Sequence, residues 1–154
     1  MQYFCSVKND DINNDCQLKL ANQVCFPIYV LAKETVNFYR PLLEELDLTY
    51  PQYLVMLVLW EEHEQTVSQL GDKLQLDSGT LTPLLKRLEQ KELIIRARSK
   101  ADERVVNINL SDKGSEMKEK AITIPSKLVS SLNISLEDLA TLKELISKIL
   151  NQTK

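Results

Sequence analysis

A mainly α fold with a small β-hairpin is what this sequence predicts, on three observations. Val67 to Leu74 reads as a short helix, a tight break follows at Gln75-Leu76, and Asp77 to Glu89 reads as a second helix with Leu81, Leu85 and Leu88 at helical spacing. Two apolar, β-branched runs, Leu93 to Arg98 and Val105 to Leu110, flank the polar turn Ser99 to Arg104, the signature of a hairpin with a charged tip. Amphipathic stretches near both ends carry apolar stripes that a small domain has no element to cover. Together these describe a winged helix-turn-helix with N- and C-terminal helices forming a homodimer interface, a second copy being the simplest partner for both stripes.

The elements follow in order. Residues 1–16 are polar and patternless, with Asn9-Asp10-Asp11-Ile12-Asn13-Asn14-Asp15 solvating better than it packs, and read as a flexible N-terminal arm. From Leu18, the positions Leu18, Ala21, Val24, Cys25, Ile28 and Leu31 or Ala32 follow steps of three and four, which predicts a long amphipathic helix running to about Leu46. Pro27 interrupts it, and an interior proline costs roughly 3 kcal/mol. The helix therefore either kinks near Val24 or starts just before Pro27, with Pro41 as a second bend. Thr49-Tyr50-Pro51-Gln52 fits a capping box opening a helix from Tyr53 to Glu62, and Thr66-Val67-Ser68-Gln69 repeats the device. Asp77 or Ser78 caps the next helix. Ser111-Asp112 starts a single helix to about Leu132, and Ser135-Leu136-Glu137-Asp138 opens a last one bearing Leu139, Leu142, Leu145, Ile146, Ile149 and Leu150. The resulting organisation is an arm over 1–16, a helical dimerisation region made of 17–48 and 112–151, and a winged module over 49–111.

A chain of 154 residues, 44% apolar and 27% charged, suffices for one compact domain with dimerising extensions and gives no sign of two independent cores. The net charge of −3 excludes indiscriminate nucleic-acid binding, which needs clustered lysine and arginine. Distribution outweighs the total. From Thr80 to Lys100 the six bases Lys86, Arg87, Lys91, Arg96, Arg98 and Lys100 face only Glu89 and Glu92, a local +4 in an otherwise acidic chain. One face is thereby selected for phosphate. No run approaches the roughly eighteen apolar residues that span a bilayer. Met1 to Cys5 has no basic stretch leading into an apolar one, so a cytoplasmic location with no membrane partner is expected. The three cysteines, Cys5, Cys16 and Cys25, are odd in number and read as free thiols of a reducing compartment.

For double-stranded DNA, the outward side of the second helix offers Ser78, Thr80, Thr82, Pro83, Lys86 and Gln90. Hydroxyls and an amide suit base edges, Pro83 suits a thymine methyl, and Lys86 suits guanine or phosphate. Pro83 lies past the first turn and leaves a carbonyl unpaired, a local cost that suggests surface function. Lys100 and Arg104 at the hairpin tip suit the minor groove, where A·T-rich narrowing favours arginine. Simple solvation, with Asp102 or Glu103 pairing Arg104, is the alternative for that tip. Arg96 and Arg98 read as groups that position phosphate or pair with acids. Two reading helices in a dimer suit a pseudo-palindromic operator with half-sites about one helical turn apart. His63 has no Cys or His at ligand spacing, so it reads as a surface residue at a helix end and no metal site is expected. Trp60 reads as core, and so does Tyr29, four residues after Cys25 on the same helix face.

Asp77-Ser78-Gly79-Thr80-Leu81-Thr82-Pro83-Leu84-Leu85-Lys86-Arg87-Leu88-Glu89, Asp102-Glu103-Arg104 and Leu110-Ser111-Asp112-Lys113-Gly114 closely resemble the MarR family of bacterial transcription regulators. Asn22-Gln23-Val24-Cys25-Phe26 and Leu48-Thr49-Tyr50-Pro51-Gln52-Tyr53 resemble that family's thiol-based organic hydroperoxide resistance repressors, and the resemblance covers about residues 18 to 151. It implies a reactive cysteine near the start of the first helix, Cys25, held by two tyrosine hydroxyls of the other subunit, Tyr39 and Tyr50. It also implies release of DNA when an organic hydroperoxide oxidises the thiolate. Cys25 and Tyr39 are fourteen residues apart, roughly 21 Å on one continuous helix. They meet only through antiparallel pairing or a sharp fold.

Sensing requires a thiolate favoured by hydrogen bonds or positive potential; the plainer reading of Cys25 is a small buried hydrophobe. Two-cysteine members of the subfamily carry a resolving cysteine in the C-terminal helical region, and this one-cysteine pattern has none after Cys25. The fates left are a lingering sulfenate, a mixed disulfide with a low-molecular-weight thiol, or overoxidation. Cys5 and Cys16 depart from the pattern and read as incidental free thiols, a resolving role for either being the alternative. The same DNA-binding dimer answering to a small phenolic ligand, or acting as a broader redox or virulence regulator, is the alternative function. No threonine or arginine stands beside Cys25 in a peroxidase-like pattern, so no catalytic residue, enzyme activity or cofactor is expected.

Overall fold

The structure, a computed structural model, describes Leu18 to Gln152; the expected arm, with Cys5 and Cys16, lies outside the described residues. The chain divides after Pro41 into two compact units. In the first, a 3-10 turn at Leu20–Asn22 precedes α1, Cys25–Glu44. Of the two possibilities that Pro27 leaves open, the late start is the one observed. Pro27 is the third residue of α1, where its missing amide removes nothing, because the first four N–H groups of a helix have no partner inside it. Pro41 falls in the last turn. The helix stops at Glu44, and a turn places Asp47 at φ 52°, with the amides of Leu46 and Leu48 both donating to Leu43 O at 3.1 and 3.0 Å.

The second unit is built around α2, Tyr50–Glu62. Its sequence is apolar nearly all round, and Tyr53, Val55, Met56, Leu59 and Trp60 are all buried, as a helix of that composition demands. It begins at Tyr50, three residues before the expected start, because Gln52 serves as the third residue of the box. Its side-chain oxygen accepts from Thr49 N at 3.0 Å. The strand β1, Glu64–Thr66, leads into α3, Val67–Leu74, whose box is complete: Thr66 N donates to Gln69 Oε1 at 2.8 Å and Gln69 N to Thr66 Oγ1 at 3.1 Å. Then come α4, Ser78–Gln90, and the hairpin strands β2, Ile94–Arg98, and β3, Val106–Leu110.

The sheet is antiparallel in the order β1-β3-β2, with Gln65 and Arg96 both opposite Ile108. A hairpin alone was expected; the third strand is a correction. Its three residues, Glu-Gln-Thr, carry no apolar alternation, and they are a strand only because β3 has a second edge whose backbone groups need partners. The helix expected from Ser111 to Leu132 is also two helices, α5, Asp112–Ala121, and α6, Ile124–Leu132. Pro125 cannot donate within a continuous helix and instead occupies the first turn of α6, where no donor is required. The last helix, α7, spans Leu136–Asn151 and is capped by Ser135, whose hydroxyl accepts from Asp138 N at 3.0 Å. Leu136, Leu145, Ile146, Ile149 and Leu150 on it are exposed. No helix among the described residues is long and apolar enough to cross a membrane.

Three elements lock together at Gly114. The Trp60 indole, buried as expected and set edge-on to Tyr53 at 6.2 Å, donates to Gly114 O at 2.9 Å. A Cβ on Gly114 would lie 2.0 Å from Leu93 O, so α5 approaches the entry to β2 more closely than any side chain permits. Lys118 Nζ returns a bond to Trp60 O at 3.0 Å. Gly114→Ala is therefore expected to destabilise the fold by about 1–3 kcal/mol or more through forced displacement of backbone. Chemical denaturation of the variant against wild type measures it, and an unchanged midpoint would show that the contact relaxes freely.

Candidate nucleic-acid interface and thiol site

The helix-turn-helix is α3 and α4. Between them Gln75 takes a left-handed conformation at φ 52°, and Leu76 N donates to Gly71 O at 3.0 Å. A Cβ on Gly71 would stand 2.9 Å from Leu76 O, so glycine lets the turn close. Of the two possible caps, Asp77 is the one used. Its Oδ1 accepts from Thr80 N at 2.9 Å and its Oδ2 from the Thr80 hydroxyl at 2.8 Å. The Thr82 hydroxyl donates back to Ser78 O at 2.7 Å.

Ser78, Thr80, Pro83, Lys86 and Gln90 are exposed along α4, while Thr82 is half-buried. Leu81, Leu85 and Leu88 are buried on the other side, so the helix separates its two faces as its periodicity requires. Arg87 also lies on the exposed side, one turn beyond Pro83, and belongs with the candidates; its place in the basic run was the available signal. An open cleft of about 610 Å³ between α3 and α4 is bordered by Ser68, Gln75 and Ser78. Asp72 and Asp77 also line it, and their charge disfavours phosphate there.

The wing turn is held by its own side chains. Ser99 Oγ accepts from Ala101 N and Asp102 N at 3.2 and 3.4 Å, and Asp102 Oδ1 accepts from Arg104 N at 3.0 Å. Lys100 and Arg104 are exposed at this tip. The basic residues sort into two groups. Arg96 pairs with Glu89 at 3.3 Å, Lys91 with Asp47 at 2.9 Å, Lys113 with Glu92 at 3.5 Å, and Lys73 with Glu62. Among the described residues no carboxylate is in ion-pair contact with Lys86, Arg87, Arg98, Lys100 or Arg104. Those five cations of the reading helix and the hairpin are therefore open to an external anion.

Cys25 is the first residue of α1, a free thiol and exposed. Tyr39 lies on the same uninterrupted helix, half-buried, so one chain holds the two about 21 Å apart at 1.5 Å per residue. Tyr50 opens α2, half-buried, and burial raises its phenol above the ordinary tyrosine value, which keeps the hydroxyl protonated and able to donate. Tyr53 is raised likewise by burial and then by the neighbouring Tyr50. Tyr29 is 61% exposed, with the Lys33 ammonium 5.8 Å from its ring centre. That corrects the expectation of core packing, since helical spacing reports which face a residue shares but not what covers the face. His63 caps α2 at φ 53° and is exposed, and no group of metal ligands occurs among the described residues.

The family described as transcriptional regulator SarA/Rot has a model that matches residues 37–121. Over 133 residues the chain is 49% identical to the organic hydroperoxide resistance transcriptional regulator of Bacillus subtilis (strain 168), covering 86% of this chain and 90% of that protein. Among solved structures, reduced AbfR bound to DNA, from a protein of Staphylococcus epidermidis, is similar with a TM-score of 0.73 and 38% identity over 90% of this chain and 98% of that one. Overoxidised AbfR bound to DNA gives 0.74 and 37% over the same shares.

Asp77 provides a pH test of the reading helix. Hydrogen bonds from Thr80, its backbone N–H first and its hydroxyl second, hold the Asp77 carboxyl below the usual aspartate value. A carboxylate favoured by folding contributes stability above its unfolded pKa and loses that contribution as pH falls through the folded value. Asp77→Asn is thus expected to be less stable than wild type at neutral pH, with the gap closing in acid below about pH 3.9. Thermal melts across that range measure the gap, and a constant difference would remove the charged cap from the account.

Proposed function

The chain belongs to the MarR family of winged-helix transcription regulators, among its organic hydroperoxide resistance and SarA/Rot relatives, and we infer that it is a homodimeric repressor that releases operator DNA when Cys25 is oxidised. The observation that carries this reading is the place of Cys25, a free and exposed thiol at the first residue of α1. Residues 17–48 and 112–151 pair two copies, which covers the exposed apolar faces of α1 and α7. Residues 49–111 of each copy then read one half of a pseudo-palindromic site. Ser78, Thr80, Thr82, Pro83, Lys86, Arg87 and Gln90 enter the major groove, and Lys100 and Arg104 of the wing reach the minor groove.

Because α1 is continuous from Cys25 past Tyr39, the phenol that holds the thiolate comes from the opposite copy. Tyr39 and Tyr50 of the partner subunit donate to the Cys25 sulfur. The sulfur attacks one peroxide oxygen, the S–O bond forms as O–O breaks, and the alkoxide leaves with a proton as an alcohol. Sulfur loses two electrons and the peroxide gains them. A low-molecular-weight thiol then condenses with the sulfenic acid to a mixed disulfide and water. Overoxidised AbfR is solved bound to DNA, so release is assigned to the sulfenate and more fully to the mixed disulfide, whose bulk displaces both phenols.

Three experiments test this. With a duplex recovered by selection on the reduced protein, cumene hydroperoxide is expected to abolish binding by wild type and leave Cys25→Ser bound; release from the serine variant would transfer the signal to a ligand. Tyr50→Phe should form sulfenate roughly tenfold more slowly or worse, the scale of one hydrogen bond to a charged group, as followed by mass spectrometry of Cys25. Replacing Leu145 and Ile149 with Glu should give monomers in sedimentation and lose DNA together, whereas DNA-competent monomers would refute the dimer.

A further inference from the structure

We propose that Lys91 and Asp47 position the reading helix against the tyrosine-bearing start of α2, so that movement at Tyr50 is delivered to the end of α4. This rests on the function proposed above and adds residues to it. Lys91 follows the last residue of α4 as its C-cap. Its ammonium donates to the main-chain carbonyl of Asp47 and lies 2.9 Å from the Asp47 carboxylate. Asp47 stands three residues before Tyr50, and the connection has no slack: Leu48 is buried with its N–H on Leu43 O at 3.0 Å, and Thr49 N is held by Gln52 at 3.0 Å. On the other side Lys113 Nζ donates to Lys91 O at 2.8 Å, and the Ser111 hydroxyl donates to Glu92 O. The end of α4 is thus gripped between the turn that leads to Tyr50 and the start of α5.

Charge use separates Lys91 from its neighbours. Lys86 and Arg87 on the same helix meet no carboxylate among the described residues, whereas Lys91 is engaged by two oxygens of one residue and its side chain is only 29% exposed. A cation at a helix C-terminus also meets favourable carbonyl potential, which fixes it further. Asp47 holds the carbonyl in place from a left-handed backbone conformation. When the thiol of the opposite copy is oxidised and Tyr50 shifts, the Asp47 carbonyl shifts with it. Because α4 is a stiff helix of 13 residues, a displacement at Lys91 appears as tilt at Ser78 to Pro83.

The test compares DNA affinity of reduced and peroxide-treated full-length protein, on one selected duplex, for wild type, Lys91→Met, Asp47→Asn and the double variant. Lys91→Met removes both contacts and keeps the aliphatic stem; Asp47→Asn removes only the carboxylate and tolerates the same backbone. The ratio of oxidised to reduced Kd should fall about fivefold or more in Lys91→Met, within the range seen for coupling residues, and by less in Asp47→Asn. The double variant should match Lys91→Met, and reduced-state affinity should stay within a few-fold of wild type. Equal weakening in both redox states with a shallower salt dependence would make Lys91 a phosphate contact and overturn the proposal. So would an unchanged ratio in both single variants. If wild type itself fails to release while Cys25 is oxidised, the proposed function fails first, and the two failures are thereby distinguished.

Discussion

The approach of α5 to the entry of β2 at Gly114 is the constraint on which the winged unit depends. A backbone carbonyl of α5 accepts the only indole N–H in the chain, and the same residue lies where a methyl group would overlap Leu93 O. That junction ties the buried helix α2 to the hairpin and the hairpin to α5. The wing is therefore no loose appendage, and its angle to α4 is set by close packing that has little freedom to deform continuously. A DNA-reading surface needs such rigidity, because base contacts made at hydrogen-bond distance tolerate little error in position.

Electrostatics then decides which part of that rigid body faces a duplex. The chain is acidic in total, yet Lys86, Arg87, Arg98, Lys100 and Arg104 of α4 and the hairpin meet no carboxylate in ion-pair contact among the described residues, while Lys73, Arg96 and Lys113 around them are engaged in internal pairs. Exposed ion pairs add little stability. Their effect is to silence cations that would otherwise blur the docking face, and the carboxylates in the cleft between α3 and α4 do the same by repulsion.

Much of this was legible in the residues because its signals are local. Thr66 with Gln69 and Asp77 with Thr80 mark helix starts through bonds made within three residues, and the hairpin is announced by β-branched runs around a polar turn. What escaped depended on distant partners. Glu64-Gln65-Thr66 becomes a strand only beside β3, and the break before Pro125 was masked by apolar spacing that continues through Ala121, Ile124 and Leu128. Tyr29 reads as core by spacing and is exposed, since periodicity cannot tell a face covered by the same chain from one awaiting another. The linkage of Lys91 to Asp47 spans 44 positions and has no sequence signature at all.

The unbroken run of α1 carries one more consequence. A helix that keeps Cys25 and Tyr39 of one copy about two nanometres apart cannot bring that pair together by itself. On the function proposed above, each receptor would be a shared property of two polypeptides, absent from a lone protomer and created at the moment of association. Responsiveness to peroxide would consequently rise with the abundance of the regulator, and a mixed pair with one disabled strand would hear on one side only.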